Sequence, residues 1–174
     1  MKQVILTRHT NNRVKKDAQV RLNDYELTSI GKEQALEVKN YLSDKDFEVI
    51  YTSLYLRTVQ TAEIINEDKK SKTIKTNSFN EYFLRPDGSG VESTDMGISR
   101  TMTKLFSIFD IFEKILIVAH SSINQTIIHS LLNIQYKKSL KYFNDFGETH
   151  ILRYDYKQGD SNWRIVDSFK PKQK

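Results

Sequence analysis

Three apolar runs of this 174-residue sequence end in side chains suited to holding an anion. Arg8 and His9 close the first run. Arg57 follows the second run after a short interval, and His120 closes the third. A guanidinium presents a planar fork of N–H donors that matches the oxygen atoms of a phosphate. A neutral imidazole is a competent nucleophile toward phosphorus when one nitrogen carries the proton and the other faces the reacting atom. These residue types predict a site that binds and transfers a phosphoryl group.

Such a transfer also needs a group that protonates the leaving oxygen and later activates water. A carboxyl group with a raised pKa serves this purpose. The segment Asn80–Gly97, predicted to be irregular, contains four candidates, which are Glu81, Asp87, Glu92 and Asp95. Glu81 is the best candidate because of its place at the start of the segment, and the other three stay open.

The elements predicted around these residues would bring them to one edge of a sheet. Val4–Thr7, Phe47–Tyr51 and Ile115–Ala119 are apolar runs typical of buried strands. Helical patterns open at Leu27–Ile30 and cover Arg57–Asn66, Ile98–Phe112 and Ile123–Leu132. Strands that alternate with helices predict an α/β sandwich with a mostly parallel sheet. Ligands of such sheets bind at the carboxyl ends of the strands, where the two arginines and two histidines are expected.

The rest of the chain predicts secondary elements away from this edge. Thr73–Thr76 is a candidate edge strand, and His150–Tyr156 and Trp163–Asp167 are late strands expected to turn around Gln158–Asp160. Phe106, Phe109 and Phe112, at a spacing of three residues, indicate core packing. His129 and His150 are interpreted as structural histidines.

Composition and charge restrict the class of protein. The chain has no cysteine, which excludes disulfides, cysteine-ligated zinc and thiol catalysis. It contains neither an apolar run near the roughly 20 residues of a membrane span nor a signal-peptide pattern, so the expected location is the cytoplasm and no membrane partner is expected. The net charge of +5 suits anionic ligands, but no nucleic-acid-binding module is recognisable. The length predicts one domain over residues 1–170, with a basic, frayed tail at 171–174.

Four motifs in order along residues 4–132 resemble those of the histidine phosphatase superfamily, the phosphoglycerate-mutase-like proteins. Leu6–Thr10 resembles the Arg-His-Gly signature of the family, and Leu27–Ala35 resembles its Leu-Thr-x-x-Gly-x-x-Gln-Ala helix start. Thr52–Ala62 resembles its Ser-Ser-Pro-x-x-Arg-Ala-x-Gln-Thr-Ala segment, and Ile117–Ser121 resembles the strand carrying the second histidine. The Arg-His pair alone is a weak signal, but four motifs in family order are specific.

The resemblance implies a fold and a set of roles. The fold would be a three-layer α/β/α sandwich whose mostly parallel sheet has an antiparallel edge strand. His9 would become a phosphohistidine, and Glu81 would be the general acid and base. Arg8, Arg57 and His120 would bind the phosphoryl oxygens. The chemistry of this branch of the family requires neither a metal nor a cofactor.

The sequence departs from the family pattern at three points. Thr10 replaces the usual glycine, and it would either narrow the pocket or place a hydroxyl group on the phosphate. Leu54 replaces the usual proline, which costs rigidity but no chemistry. The Gly-Glu-Thr-x-x-Asn continuation typical of phosphoglycerate mutases is missing after His9, which favours a phosphatase over a mutase.

The main hypothesis is therefore hydrolysis of a small or medium phosphomonoester through His9. A mutase-type phosphotransferase and a phosphate-binding module with little turnover are the alternatives. Four basic residues that follow His9 would hold a second anionic group of the substrate, namely Arg13, Lys15, Lys16 and Arg21. Their interpretation as an exposed loop stays open, and the sequence identifies neither the substrate nor the oligomeric state.

Overall fold

Residues 1–12, 25–81, 92–154 and 162–173 are described by the computed structural model, and they form six strands and five α-helices. The strands are β1 (Gln3–Arg8), β2 (Val49–Thr52), β3 (Lys72–Lys75), β4 (Lys114–Ala119), β5 (Thr149–Tyr154) and β6 (Trp163–Phe169). The helices are α1 (Ser29–Tyr41), α2 (Leu56–Asn66), α3 (Thr94–Phe109), α4 (Ser121–Leu131) and α5 (Tyr136–Ser139). None of these helices is long and apolar enough to cross a membrane.

The six strands form one sheet in the order β3-β2-β4-β1-β5-β6. The first four strands of that order are parallel, and β5 runs antiparallel to both of its neighbours. The predicted α/β class and the mostly parallel sheet are confirmed. The antiparallel strand β5 lies second from the edge, and β6 forms the edge itself. Because β2, β4 and β1 are adjacent and parallel, their carboxyl ends lie side by side.

Alternate residues of the central strands supply two separate cores, one on each face of the sheet. Val4 and Leu6 pack with residues of α3 and α4 on one face. Ile5 and Leu116 pack with residues of α1 and α2 on the other face. Both faces are covered, which explains why the central strands read as continuous apolar runs without polar alternation. The helices therefore form two outer layers, as expected for a three-layer sandwich.

Helix α3 begins earlier than the sequence predicts. The helix starts at Thr94, and the side chain of Ser93 caps it by accepting a hydrogen bond of 3.2 Å from the Met96 N–H. The prediction of an irregular segment up to Gly97 is therefore wrong for its last four residues, because a serine cap outweighs one glycine inside a helix. The short helix α5 was not predicted.

The three phenylalanines of the α3 region do not share one environment. Phe109 is buried and Phe112 packs against the same core. Phe106 is 56% exposed, so the prediction that all three lie in the core is wrong for this residue. Leu105, one position earlier, is fully buried instead. The helical rotation of about 100° per residue turns Phe106 away from the face that carries Leu105.

The C-terminal residues pack onto the domain. Pro171 is buried, and the Gln34 side chain donates a hydrogen bond of 3.2 Å to the Lys172 carbonyl. Gln173 Nε2 donates a hydrogen bond of 3.1 Å to the Phe146 carbonyl. The expectation of a frayed tail is therefore wrong for residues 171–173. The predicted turn around Gln158–Asp160 lies outside the described residues.

Candidate active site

The carboxyl ends of β1, β2 and β4 bring the predicted basic side chains together. The rings of His9 and His120 lie edge to face with centroids 5.2 Å apart. Arg57, in the first turn of α2, bridges them. Its Nε lies 3.3 Å from His9 Nε2, and its Nη2 lies 3.3 Å from His120 Nδ1. The register of β1 and β4 explains why His9 and His120 lie side by side, because Arg8 pairs with Ala119 at the last position of both strands.

Two helices begin at the same edge. Helix α2 starts at Leu56, one residue before Arg57, and α4 starts at Ser121, one residue after His120. The first N–H groups of a helix lack partners within the helix, and its dipole places partial positive charge at this end. Both helix starts therefore favour an anion between the two histidines.

The tautomer of His9 is set by its own loop. His9 Nδ1 lies 2.9 Å from the Thr10 carbonyl, which can only accept, so Nδ1 carries the proton. The opposite nitrogen, Nε2, faces the Arg57 N–H and therefore presents a lone pair. Burial, followed by the charge of Arg57, lowers the pKa of His9 well below its usual value, although the Thr10 carbonyl opposes the shift. His9 is thus neutral at neutral pH, with Nε2 available to attack an electrophile.

His120 is held in the opposite tautomer by a chain of hydroxyl groups. Its Nε2 lies 2.8 Å from Ser53 Oγ, and Ser53 Oγ lies 2.8 Å from Thr58 Oγ1. Thr58 donates its proton to the Tyr55 carbonyl at 2.7 Å, so Ser53 donates to Thr58 and accepts from His120. The proton of neutral His120 therefore lies on Nε2, and Nδ1 faces Arg57. Burial first, and then the nearby basic side chains of His9 and Arg57, lower the pKa of His120 well below its usual value.

Arg8 is oriented by the loop before β5. Its Nη1 donates hydrogen bonds of 3.1 Å and 2.5 Å to the carbonyls of Phe143 and Asn144. Its guanidinium carbon lies 4.3 Å from the centroid of the Phe146 ring, which also packs against His9. Arg8 Nε is buried and has no hydrogen-bond partner among the described residues. Arg8 therefore has a guanidinium donor that no described residue uses.

A buried hydrogen-bonded pair, Glu148 and His150, supports that loop. Glu148 and His150 are 1% and 5% exposed, and their side chains meet at 2.7 Å. Burial alone would raise the pKa of the Glu148 carboxyl, but hydrogen bonds from His150 and from the N–H groups of Phe143 and Asp145 lower it to about 2. His150 is therefore structural, as predicted. His129 is structural as well, since its Nδ1 bonds the Ile134 carbonyl.

Thr10 connects the nucleophile loop to α2. Its hydroxyl group lies 3.2 Å from Thr61 Oγ1, which itself donates to the Arg57 carbonyl at 2.7 Å. Thr10 does not adopt a positive φ, so its backbone does not require the glycine that the family usually has here. The hydroxyl group therefore ties the loop of His9 to the helix of Arg57. Its predicted contact with a phosphate stays a prediction.

Among the carboxylate candidates, Glu81 lies near the two arginines. Burial lowers the pKa values of Arg8 and Arg57, and the negative charge of Glu81 acts against that lowering in both cases. Glu92 instead forms an ion pair with Arg100, in which Nε lies 2.5 Å from Oε1. Asp95 is exposed in the first turn of α3, and Asp87 lies outside the described residues.

The structure also explains the glycine of the second motif. A Cβ atom on Gly31 would lie 1.9 Å from the Asn11 carbonyl oxygen, which no side chain tolerates. Because the Asn11 segment lies this close to Gly31, the backbone N–H of Thr28 donates a hydrogen bond of 3.1 Å to the Asn11 carbonyl. The Thr28 side chain at the same time caps α1. Gly31 therefore fixes the chain that follows His9 and Thr10 against the start of α1.

Several contributors to the site were not predicted from the sequence. Ser53 follows the second apolar run, and its hydroxyl group at a strand end is the only signal it carries. Phe146 and Glu148 stand in a loop without periodicity, and Arg100 reads as an ordinary helix residue. These three carry no local signal, because their roles arise from contacts with distant parts of the chain.

Two further expectations concern ligands. Among the described residues, no group of three or more histidine, aspartate or glutamate side chains could hold a metal ion. The basic cluster of Arg13, Lys15, Lys16 and Arg21 lies outside the described residues. Its role in holding a second anionic group stays a prediction.

Comparison with known proteins agrees with this architecture. The alpha-ribazole phosphatase of Shigella flexneri superposes with a TM-score of 0.78 at 18% identity, covering 94% of each chain. Mycobacterial glucosyl-3-phosphoglycerate phosphatase gives a TM-score of 0.78 at 16% identity, covering 99% of this chain and 100% of that one. A phosphoserine phosphatase from Entamoeba histolytica gives 0.74 at 20% identity, covering 99% and 98%. At such identities the likeness shows the fold alone.

The sequence comparison identifies the family. No curated protein matches the sequence. Residues 4–89 match the profile of the histidine phosphatase superfamily (branch 1), and this range contains Arg8, His9, Arg57 and Glu81. This match assigns residues 4–89, nearly half of the chain, to the histidine phosphatase superfamily.

Proposed function

We propose that this protein hydrolyses phosphomonoesters through a phosphohistidine formed on His9. The observation that carries the proposal is the neutral imidazole of His9, with its Nδ1 proton held by the Thr10 carbonyl and its Nε2 lone pair beside Arg57. An imidazole in this state needs no deprotonation before it attacks phosphorus. Arg8, Arg57 and the starts of α2 and α4 supply positive charge for the phosphoryl oxygens.

In the first step, His9 Nε2 bonds to phosphorus while the bond between phosphorus and the leaving oxygen breaks. The protonated carboxyl group of Glu81 gives its proton to that oxygen. The phosphorylated ring gains positive charge, which the Thr10 carbonyl stabilises through the Nδ1 proton. Arg8 and Arg57 hold the phosphoryl oxygens through this step, which is largely a matter of positioning and charge.

In the second step, water attacks phosphorus as the bond to Nε2 breaks. The carboxylate of Glu81 takes a proton from the water, and the products are inorganic phosphate and neutral His9. His120 presents Nδ1 toward Arg57, so it donates to the phosphoryl group only after taking up a proton. A bound phosphate dianion favours that uptake because it raises the pKa of a nearby imidazole.

Two observations support hydrolysis over the mutase reaction. The chain lacks the motif that follows the nucleophile in phosphoglycerate mutases, and the three superposed structures carry the names of phosphatases. One of these, the phosphoserine phosphatase, is a complex with 3-phosphoglyceric acid. A small phosphorylated molecule with a second anionic group is therefore the proposed substrate class.

The test combines product analysis with trapping of the intermediate. Purified protein is incubated with a panel of phosphomonoesters, with and without a carboxylate, and released phosphate is measured alongside isomerised product. A brief incubation with labelled substrate should leave acid-labile, base-stable phosphate on the protein. His9→Ala should abolish both signals, and His129→Gln, outside the site, should keep them. Full activity of His9→Ala would falsify the assignment, and isomerised product without free phosphate would identify a mutase.

A further inference from the structure

We infer that Arg100 is a positioning residue, which fixes the turn that presents Glu81 to the leaving group. The inference rests on the proposed function, because it assumes that Glu81 is the general acid. Arg100 lies on α3, on a different element from every side chain assigned above to phosphate binding. Its role follows from the atoms that its guanidinium contacts.

The guanidinium of Arg100 connects three carbonyl groups of one turn. Nη1 donates to the carbonyls of Asn77 and Ser78 at 3.1 Å and 2.6 Å, and Nη2 donates to that of Asn80 at 2.7 Å. Glu81 is the next residue in the chain. The three carbonyls therefore cannot move relative to α3 without breaking hydrogen bonds to a charged donor, which are among the stronger ones in proteins.

Glu92 holds the guanidinium itself in place. Its two carboxylate oxygens accept from Arg100 Nε at 2.5 Å and from Nη2 at 2.7 Å. Both side chains are mostly buried, with 23% and 21% exposure. The planar fork of arginine matches this carboxylate and the turn carbonyls at the same time, whereas the single ammonium group of lysine cannot. Glu92 thus orients Arg100 and is not itself placed to act as the acid.

The same turn is attached to the phosphate site from its other side. Asn80 Oδ1 accepts a hydrogen bond of 2.9 Å from the Leu54 N–H, next to Ser53. Phe79 is fully buried and packs edge to face against Tyr51 of β2. The turn therefore has two anchors, one on the strand end that carries the site and one on α3. On α3, Thr101 also donates a hydrogen bond of 3.2 Å to the Ser78 carbonyl, so removing Arg100 would weaken the second anchor and leave the first intact.

This geometry predicts a selective loss of acid catalysis. In the first step, a misplaced acid slows phosphorylation of His9 only where the leaving oxygen needs a proton, as an alkoxide does and a nitrophenolate does not. An arginine-to-methionine change should lower the single-turnover rate at which an alkyl phosphomonoester phosphorylates His9 by roughly 10-fold to 100-fold, the effect of about 1 Å of misplacement. The substrate concentration that gives half of this maximal rate should stay within about 2-fold, because Arg8 and Arg57 still hold the phosphoryl group.

The experiment measures the single-turnover rate of His9 phosphorylation by an alkyl phosphomonoester and by 4-nitrophenyl phosphate in full-length variants. The later hydrolysis step, in which Glu81 acts on both esters alike, does not contribute to this rate. Glu81→Gln sets the size of the effect expected when the acid is absent. Arg100→Met and Arg100→Lys should show the same preference for the nitrophenyl ester, with a smaller loss in the lysine variant. Arg153→Met is the matched control, since Arg153 contacts Gln3 at the other end of β1 and should leave both rates unchanged.

The outcomes separate this inference from the proposed function. If Glu81→Gln is selective and neither Arg100 variant is, the positioning role is overturned and the acid assignment stands. If Glu81→Gln slows both esters equally or neither, both assignments fail. An equal loss on both esters in the Arg100 variants, at an unchanged melting temperature, would also refute positioning. Should the methionine variant not fold, the lysine variant decides by the same criterion.

Discussion

Replacing Glu148 with glutamine should destabilise the fold in a pH-dependent way. The carboxyl group has a pKa of about 2 in the folded chain against an ordinary value of 4.5, and its side chain is 1% exposed. A difference of about 2.5 pKa units corresponds to roughly 3 kcal/mol of unfolding free energy, at about 1.4 kcal/mol per unit. A lowered pKa stabilises above the unfolded value, so this contribution is complete above about pH 4.5 and disappears toward pH 2.

The assay is denaturant unfolding of the native sequence and of Glu148→Gln between pH 7 and pH 2. The difference between the two stabilities should be about 3 kcal/mol at neutral pH and should shrink below about pH 4.5. Glu113→Gln serves as the control, because that carboxylate is half exposed and its ion pairs with Lys2 and the N-terminus should contribute little. A difference that is constant with pH would refute the reasoning, since it would show that the charge of Glu148 plays no part.

The same substitution should also reduce activity, because Glu148 supports the loop whose carbonyls orient Arg8. Accordingly, kcat should fall at neutral pH even where the variant remains folded. The rate should be compared at a temperature well below both melting transitions. Unchanged kcat in a destabilised variant would show that the loop keeps its position without the Glu148 carboxylate.

Two further predictions concern groups next to the histidines. Ser53→Ala removes the acceptor of the His120 Nε2 proton, which should cost about 1–3 kcal/mol in phosphate binding. The control Thr58→Ser keeps the hydroxyl chain and should bind phosphate normally. Calorimetry with phosphate measures both affinities. Nitrogen NMR of the native protein should show the His120 proton on Nε2, and a proton on Nδ1 would contradict the hydroxyl chain. Gly31→Ala places a methyl group 1.9 Å from the Asn11 carbonyl oxygen and should cost about 1–3 kcal/mol of stability. Thermal melting measures that cost, and a stability equal to that of the native chain would show that the Asn11 segment moves freely.

The meeting of Arg8, His9, Arg57 and His120 was predictable from the sequence. Each lies just beyond an apolar run or in the helix that follows one, and parallel strands separated by helices end at the same edge of a sheet. These are properties of chain direction and local periodicity, so they need no knowledge of distant contacts. The family motifs contain the same four residues.

The boundaries of α3 and the environment of Phe106 were not predictable in the same way. The start of α3 depends on one hydrogen bond, which Ser93 Oγ accepts from the Met96 N–H and which competes with the turn signal of Gly97. The exposure of Phe106 depends on which face of α3 meets the sheet. The periodicity of the sequence restricts where a helix begins and which face it buries, but it does not decide either. Packing against another element selects the boundary and the face that the folded chain adopts.

The chemical states of the site were decided only by the tertiary structure. The tautomer of His120 depends on Ser53, which is 67 positions away in the chain. The orientation of Arg8 depends on carbonyls 135 and 136 positions away. Glu81 and Glu92 are the same residue type in one segment, and only the contacts of Arg100 distinguish them. Sequence alone determined which residues meet, since strand direction is local; the proton positions and the pairing of charges follow from side-chain contacts that exist only in the folded chain.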